Sequence, residues 1–137
     1  MTPKTSSLLD GEIIPGKRIG IFELGWSYEE LKAHLVEECT VEDRENSVVL
    51  IAYCIKFWVN KESNSVTQIS VFGDFKGKFM SKIGIGSTLA DVQAYIGTWQ
   101  EKLDVYILPQ YPGICFELID DDDWDELKSP IEFISVY

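Results

Sequence analysis

The sequence holds 137 residues, with 12 Lys and Arg against 23 Asp and Glu for a formal net charge of -11, and 45% of it is hydrophobic. That length and apolar content fit a single domain over residues 1–137 with a real core, which excludes a disordered chain. The acidic balance argues against direct binding to nucleic acid or to anionic lipid, since both require a basic footprint.

In chain order, residues 1–10 contain one lysine and no apolar block of signal-peptide length, and no run of about 18 apolar residues could span a bilayer. The lead is expected to be flexible and the protein to be soluble and cytoplasmic. An internal repeat then organises the chain, with units at about 14–73 and 75–137. At an offset of 61, Gly16 and Lys17 match Gly77 and Lys78, Gly25 matches Gly86, and Ser27, Glu30, Leu31 and Leu35 match Thr88, Asp91, Val92 and Ile96. Cys54 falls with Cys115 at that offset, whereas Val66 to Phe72 matches Ile131 to Tyr137 at 65, which places a four-residue insertion in the acidic stretch around 120–124. Ser27 with Glu30, and Thr88 with Asp91, form capping boxes that start a helix in each unit. Tyr28, Leu31 and Leu35, and Leu89, Val92 and Ile96, give each helix one apolar stripe. Gly97 is placed to end the second helix.

Strands are expected over Val48–Val59, Val66–Phe72, Val105–Leu108, Ile114–Ile119 and Ile131–Tyr137, with one more before each helix. The fold class is therefore α+β: two tandem strand-helix-hairpin repeats forming a mainly antiparallel sheet with both helices on one face. Period-two alternation turns Tyr53, Ile55, Phe57, Ile69, Val71, Ile114, Phe116, Leu118, Ile134 and Val136 toward the helices. The opposite face carries Cys54, Lys56, Trp58, Gln68, Ser70, Phe72, Cys115, Glu117, Phe133, Ser135 and Tyr137. That mixture of aromatic and polar residues suits a protein-binding surface.

Two acidic clusters stand out: Glu37, Glu38, Glu42, Asp43 and Glu45, and then Asp120, Asp121, Asp122, Asp123, Asp125 and Glu126 around Trp124. Either reads as a solvated loop by default. The second sets a hot-spot aromatic inside a potential that accelerates encounter with a basic partner. It lacks the glycine and the spaced terminal glutamate of a calcium loop, so no metal site is assigned. Catalytic constellations are missing. His34 is the only histidine and reads as a helix-surface residue, and exposed acids without an apolar pocket have no means to raise a pKa for acid catalysis. Cys39, Cys54 and Cys115 are too far apart for a metal knuckle and odd in number for a disulfide framework; Cys54 and Cys115 read as a shared small side chain in the sheet. No enzyme activity and no cofactor are expected.

Residues 83–88 (IGIGST) with Val92, Ile96 and Gly97, echoed by 22–27 (FELGWS) with Leu31 and Leu35, resemble the tandem helix-plus-hairpin units of the β-lactamase-inhibitor-protein type. The ending 130–137 (PIEFISVY), the run 111–117 (YPGICFE) and the small acidic character resemble immunity proteins of bacterial toxin systems, including contact-dependent growth inhibition. The resemblance implies a sheet-face inhibitor of another protein, and immunity proteins act inside the cell, often against a nuclease. The implied partner is a basic toxin domain, bound through Trp58, Glu117, Asp120, Asp121, Asp122, Asp123, Trp124, Asp125, Glu126, Phe133 and Tyr137. The alternative is a small-ligand-binding or regulatory domain with a site between the two repeats.

Overall fold

The computed structural model describes residues 6–35 and 39–137. Glu37 and Glu38 of the first acidic cluster, and residues 1–5 of the lead, lie outside the described residues. The remainder of the lead forms a helical turn, α1 (Ser6–Leu9), in which Leu8 is buried and its carbonyl accepts the Cys54 thiol at 2.8 Å. Three two-residue strands follow as a small antiparallel sheet: β1 (Ile13–Ile14), β2 (Arg18–Ile19) and β3 (Phe22–Glu23). Helix α2 (Tyr28–His34) leads into β4 (Thr40–Asp43), β5 (Ser47–Ala52), β6 (Ile55–Asn60) and β7 (Ser65–Phe72). Helix α3 (Leu89–Tyr95) leads into β8 (Gln100–Lys102), β9 (Val105–Ile107), β10 (Ile114–Leu118) and β11 (Ile131–Val136). The eight strands form one antiparallel sheet in the order β4-β5-β6-β7-β11-β10-β9-β8.

The α+β class with a mainly antiparallel sheet is thus observed, but each helix is followed by four strands rather than by one hairpin. The run Val48–Val59, expected as one strand, is broken between Ala52 and Ile55 by a two-residue turn in which Tyr53 takes φ +58°. Tyr53 is consequently 61% exposed rather than in the core, and Cys54 is buried in the turn rather than on the opposite face. The strand expected before α2 is β3; before α3 there are only isolated bridges, from Phe79 to Ile83 and to Ile13.

Both helix entries follow the same local rules. Ser27 Oγ accepts from the Glu30 N–H at 3.1 Å while the Glu30 carboxylate accepts from the Ser27 N–H, and Thr88 with Asp91 repeats the exchange at 3.2 and 3.0 Å. Each box satisfies backbone donors that the first turn leaves orphaned. Two residues ahead of each cap, Gly25 and Gly86 hold φ of +91° and +92°, where a side chain would be strained. Gly25 donates to Val66 O at 2.8 Å and Gly86 to Ile131 O at 2.9 Å, so each helix start is tied to the beginning of β7 or β11. Gly97, at φ +146°, ends α3 and donates to Val92 O.

One apolar cluster runs through both halves and takes in Leu31, Leu35, Leu89 and Val92 from the helices with Leu50, Ile55, Phe57, Ile69, Val71, Ile114, Phe116, Ile134 and Val136 from the sheet. Leu118, expected inside, only packs at its margin. Strand pairing does not follow the expected offset of 61. Ser70 faces Ser135, while Lys56 pairs with Ser70 and Cys115 with Ser135, so the position matching Cys115 is Lys56 and not Cys54. By the same pairing Phe57 corresponds to Phe116, an offset of 59 (116 less 57). Between the paired residues Val59 and Val66 lie six residues, and between Leu118 and Ile131 twelve, so the difference is six rather than the expected four.

Candidate functional site

Directly opposed residues share a face of a sheet, and one row crosses all eight strands opposite the core: Thr40, Ile51, Lys56, Ser70, Ser135, Cys115, Ile107 and Gln100. At its centre Ser70 Oγ and Ser135 Oγ lie 2.5 Å apart, both buried, and Gln68 Nε2 donates to Ser70 at 3.2 Å. Burial of such short side chains follows from longer neighbours: Phe72 and Phe133 pair across the seam with rings 5.5 Å apart, and Lys56 lies 5.3 Å over the Trp58 ring. Burial pushes the Cys115 thiol up to about 11, with the Glu117 charge acting in the same direction, so it is not a reactive thiolate at neutral pH.

The second feature is a cleft of about 680 Å³ at the β8–β9 end of the sheet, lined by Glu101, Asp104, Tyr106, Glu117, Leu118, Asp120, Trp124, Glu126 and Glu132. Six of these nine are carboxylates, and no Lys or Arg among the described residues lines it. Its parts come from the β8–β9 hairpin, strand β10, the connection 119–130 and Glu132 of β11. That connection is ordered by its own hydrogen bonds: Asp125 Oδ1 accepts from Leu127 N and Lys128 N, Ser129 Oγ accepts from Asp125 N at 2.7 Å, and Ser129 N donates back to Asp125 O at 2.7 Å. Tyr106 Oη donates to Glu126 Oε2 at 3.2 Å, and the Tyr106 ring is braced edge-on by Trp99 at 5.5 Å. Burial, then Glu126, pushes the Tyr106 phenol up to about 12, which keeps it a donor. Burial also raises the Glu117 carboxyl above its ordinary value; Glu132 adds to the rise and Lys56 opposes it.

The expected binding residues therefore divide. Glu117, Asp120, Trp124 and Glu126 meet in the cleft, whereas Asp121, Asp122, Asp123 and Asp125 are exposed along the connection without lining it. Trp58, Phe133 and Tyr137 belong to the sheet face, and Trp58, on β6, is separated by β7 from β11, the nearest strand that lines the cleft. Glu117 joins the two regions, since it pairs with Phe133. Glu101, Asp104, Tyr106, Leu118 and Glu132 had no sequence signal as site residues; only the turn at Leu103–Asp104 would have brought Glu101 and Asp104 forward. A smaller apolar pocket of about 330 Å³ lies at the seam between the halves, among Phe72, Ile85, Gly86, Ile131 and Phe133. His34 is an exposed helix residue whose ring stacks on Trp26 at 4.3 Å. Among the described residues no group of three or more His, Cys, Asp or Glu side chains is arranged to hold a metal ion.

No family model and no curated protein matches the chain. Among solved structures it is similar to the uncharacterized protein yfeY from Escherichia coli, at 12% identity and a TM-score of 0.54, over 93% of this chain and 97% of that one. It is also similar to a cysteine-rich secretory protein from Staphylococcus aureus subsp. aureus Mu50, at 13% identity and a TM-score of 0.50 over 93% of this chain; it spans about half (49%) of that longer chain. At these identities the likeness concerns the α+β fold alone. No helix among the described residues is long and apolar enough to cross a membrane.

Proposed function

We propose that the protein is a non-catalytic inhibitor, an immunity protein that binds a cationic bacterial toxin domain in the cytoplasm and covers its active surface. The observation that carries this reading is the anionic cleft, in which six carboxylates and the rings of Tyr106 and Trp124 meet without a basic partner among the described residues. A nuclease toxin is basic where it holds phosphate, and a surface of fixed carboxylates competes for the same groups. The reading treats the two halves as tandem copies of one unit, supported by the matching capping boxes, the matching glycine ties and the Ser70–Ser135 pairing at the seam. On this reading one copy has diverged by lengthening its last connection into a binding wall.

The experiment is co-expression with the toxin domain encoded in the adjacent reading frame, combined with surface-plasmon binding of the purified pair. Rescue of growth with tight, salt-dependent binding is the expected result; absence of both would overturn the reading. A second reading, a small-ligand site between the halves, is favoured by the apolar seam pocket. Thermal-shift screening with metabolites tests it, because a ligand bound only by the native state raises the melting temperature.

A further inference from the structure

The tip of the β8–β9 hairpin is built against the preferences of its turn. Lys102 and Val105 face each other in the ladder, leaving Leu103 and Asp104 as a two-residue connection with φ of +52° and +68°. Two successive positive φ values define a type I′ turn, which matches strand twist and is preferred by Asn, Asp and Gly. Asp104 suits it, and its N–H donates to Glu101 Oε2 at 2.9 Å. Leu103 does not, because in the left-handed region its Cβ crowds the following carbonyl. Packing returns nothing for this strain, since Leu103 is 89% exposed. Tyr53 and Met80 also hold positive φ, but at 61% and 50% exposure they rest partly on the molecule. Among the described residues Leu103 alone combines a strained backbone with an almost wholly solvated apolar side chain, and such an outlier points to a contact outside the chain.

We infer that Leu103 is an apolar anchor that enters a recess on a basic protein partner, while the adjoining cleft receives the cationic rim of that recess. The inference deepens the proposed function and rests on it. The partner's chemistry follows from the neighbours: Asp104 and Glu101 line the cleft on the Leu103 side, and Trp124, 47% exposed, lines it from the long connection. An apolar tip between carboxylates fits an apolar pocket ringed by Lys and Arg. A second copy of this chain, at a net charge of -11, would be repelled.

The test uses L103N, which suits the turn and deletes the anchor, with L103G as a second variant. Melting temperature is measured with surface-plasmon kinetics against the toxin domain of the adjacent reading frame, and hen egg-white lysozyme serves as a basic protein bound by charge alone. The expected result is an unchanged or higher melting temperature, dissociation from the toxin about tenfold faster, and unaltered lysozyme binding. If the parent binds the toxin and both variants bind equally well, the anchor is overturned while the proposed function stands. If the parent does not bind the toxin, both fall. A lower melting temperature in both variants would make Leu103 a structural residue, and parental self-association in sedimentation velocity that L103N abolishes would make the occupant a second copy; either result overturns the inference.

Discussion

Two clefts lie at opposite ends of the sheet. In the first half, the start of α2, strands β4 to β6 and the connection 61–64 enclose about 390 Å³ among Tyr28, Glu29, Val41, Asp43, Val48, Val59 and Lys61. In the second, strands β8 to β11 and the connection 119–130 enclose about 680 Å³. Asp43 is met by Lys61 Nζ at 2.7 Å, whereas no Lys or Arg among the described residues lines the second cleft. An exposed ion pair of that kind adds little stability; its larger effect is to cancel a local field. One sheet thus carries a cleft in which two carboxylates meet one lysine and another in which six carboxylates meet none, and four of those six (Glu101, Asp104, Glu117 and Glu132) lie outside the connection 119–130.

The largest expected effect tests whether the halves are equivalent in the core. Phe57 and Phe116 occupy matching strand positions and are both fully buried. Phe57→Ala and Phe116→Ala should each cost about 3–5 kcal/mol in urea unfolding, and a difference well beyond about 1 kcal/mol would break the equivalence. Next in size, Trp124→Ala should weaken toxin binding by about 2 kcal/mol, roughly thirtyfold, mainly through faster dissociation. Val41→Ser in the first cleft should leave that affinity unchanged. A smaller change is expected from Glu101→Gln with Asp120→Asn: association slows severalfold and its salt dependence flattens, as stopped-flow rates at two salt concentrations would show. Neutralising Asp121, Asp122 and Asp123, outside the cleft, should do less, and Lys61→Gln nothing.

The smallest effect is a pH dependence carried by Glu117. Its raised pKa, caused first by burial and then by Glu132, means that the folded state binds this proton more tightly than the unfolded chain. The associated stability is complete below the ordinary carboxylate value of 4.5 and is lost as pH rises through the raised one. Partner binding runs the other way, since an incoming cation favours the ionised form, so affinity should increase over the same interval with release of a proton. Calorimetry in two buffers of different ionisation enthalpy measures that release, and Glu117→Gln should remove it.

Much of the scaffold was legible because its signals are local. Ser27 with Glu30 and Thr88 with Asp91 announce their helices by chemistry within four residues, and the alternation in β6 follows burial. The edge strands escaped for the opposite reason: Gln100–Lys102 is exposed throughout and β4 nearly so, which leaves no apolar alternation to read. The break at Tyr53–Cys54 was hidden because its positive φ falls on a tyrosine inside an apolar run, without the Gly or Asn that marks such turns. Half of the cleft was visible as the acidic run near Trp124. Glu101, Asp104 and Glu132 join it only through strand pairing, to which no local sequence pattern corresponds.

The place of β11 in the sheet has a consequence during synthesis. It is the last of the eight strands in chain order, yet it lies at the middle of the sheet and is the strand through which the halves meet. Roughly 60 residues separate it from β7, which at about 5–20 residues per second amounts to about 3–12 s on the ribosome. Through that interval β7 offers an unpaired edge carrying Ile69 and Val71 to any extended chain nearby. The nascent first half is therefore the stage at which this otherwise strongly charged protein is most open to mispairing, and the arrival of β11 closes it.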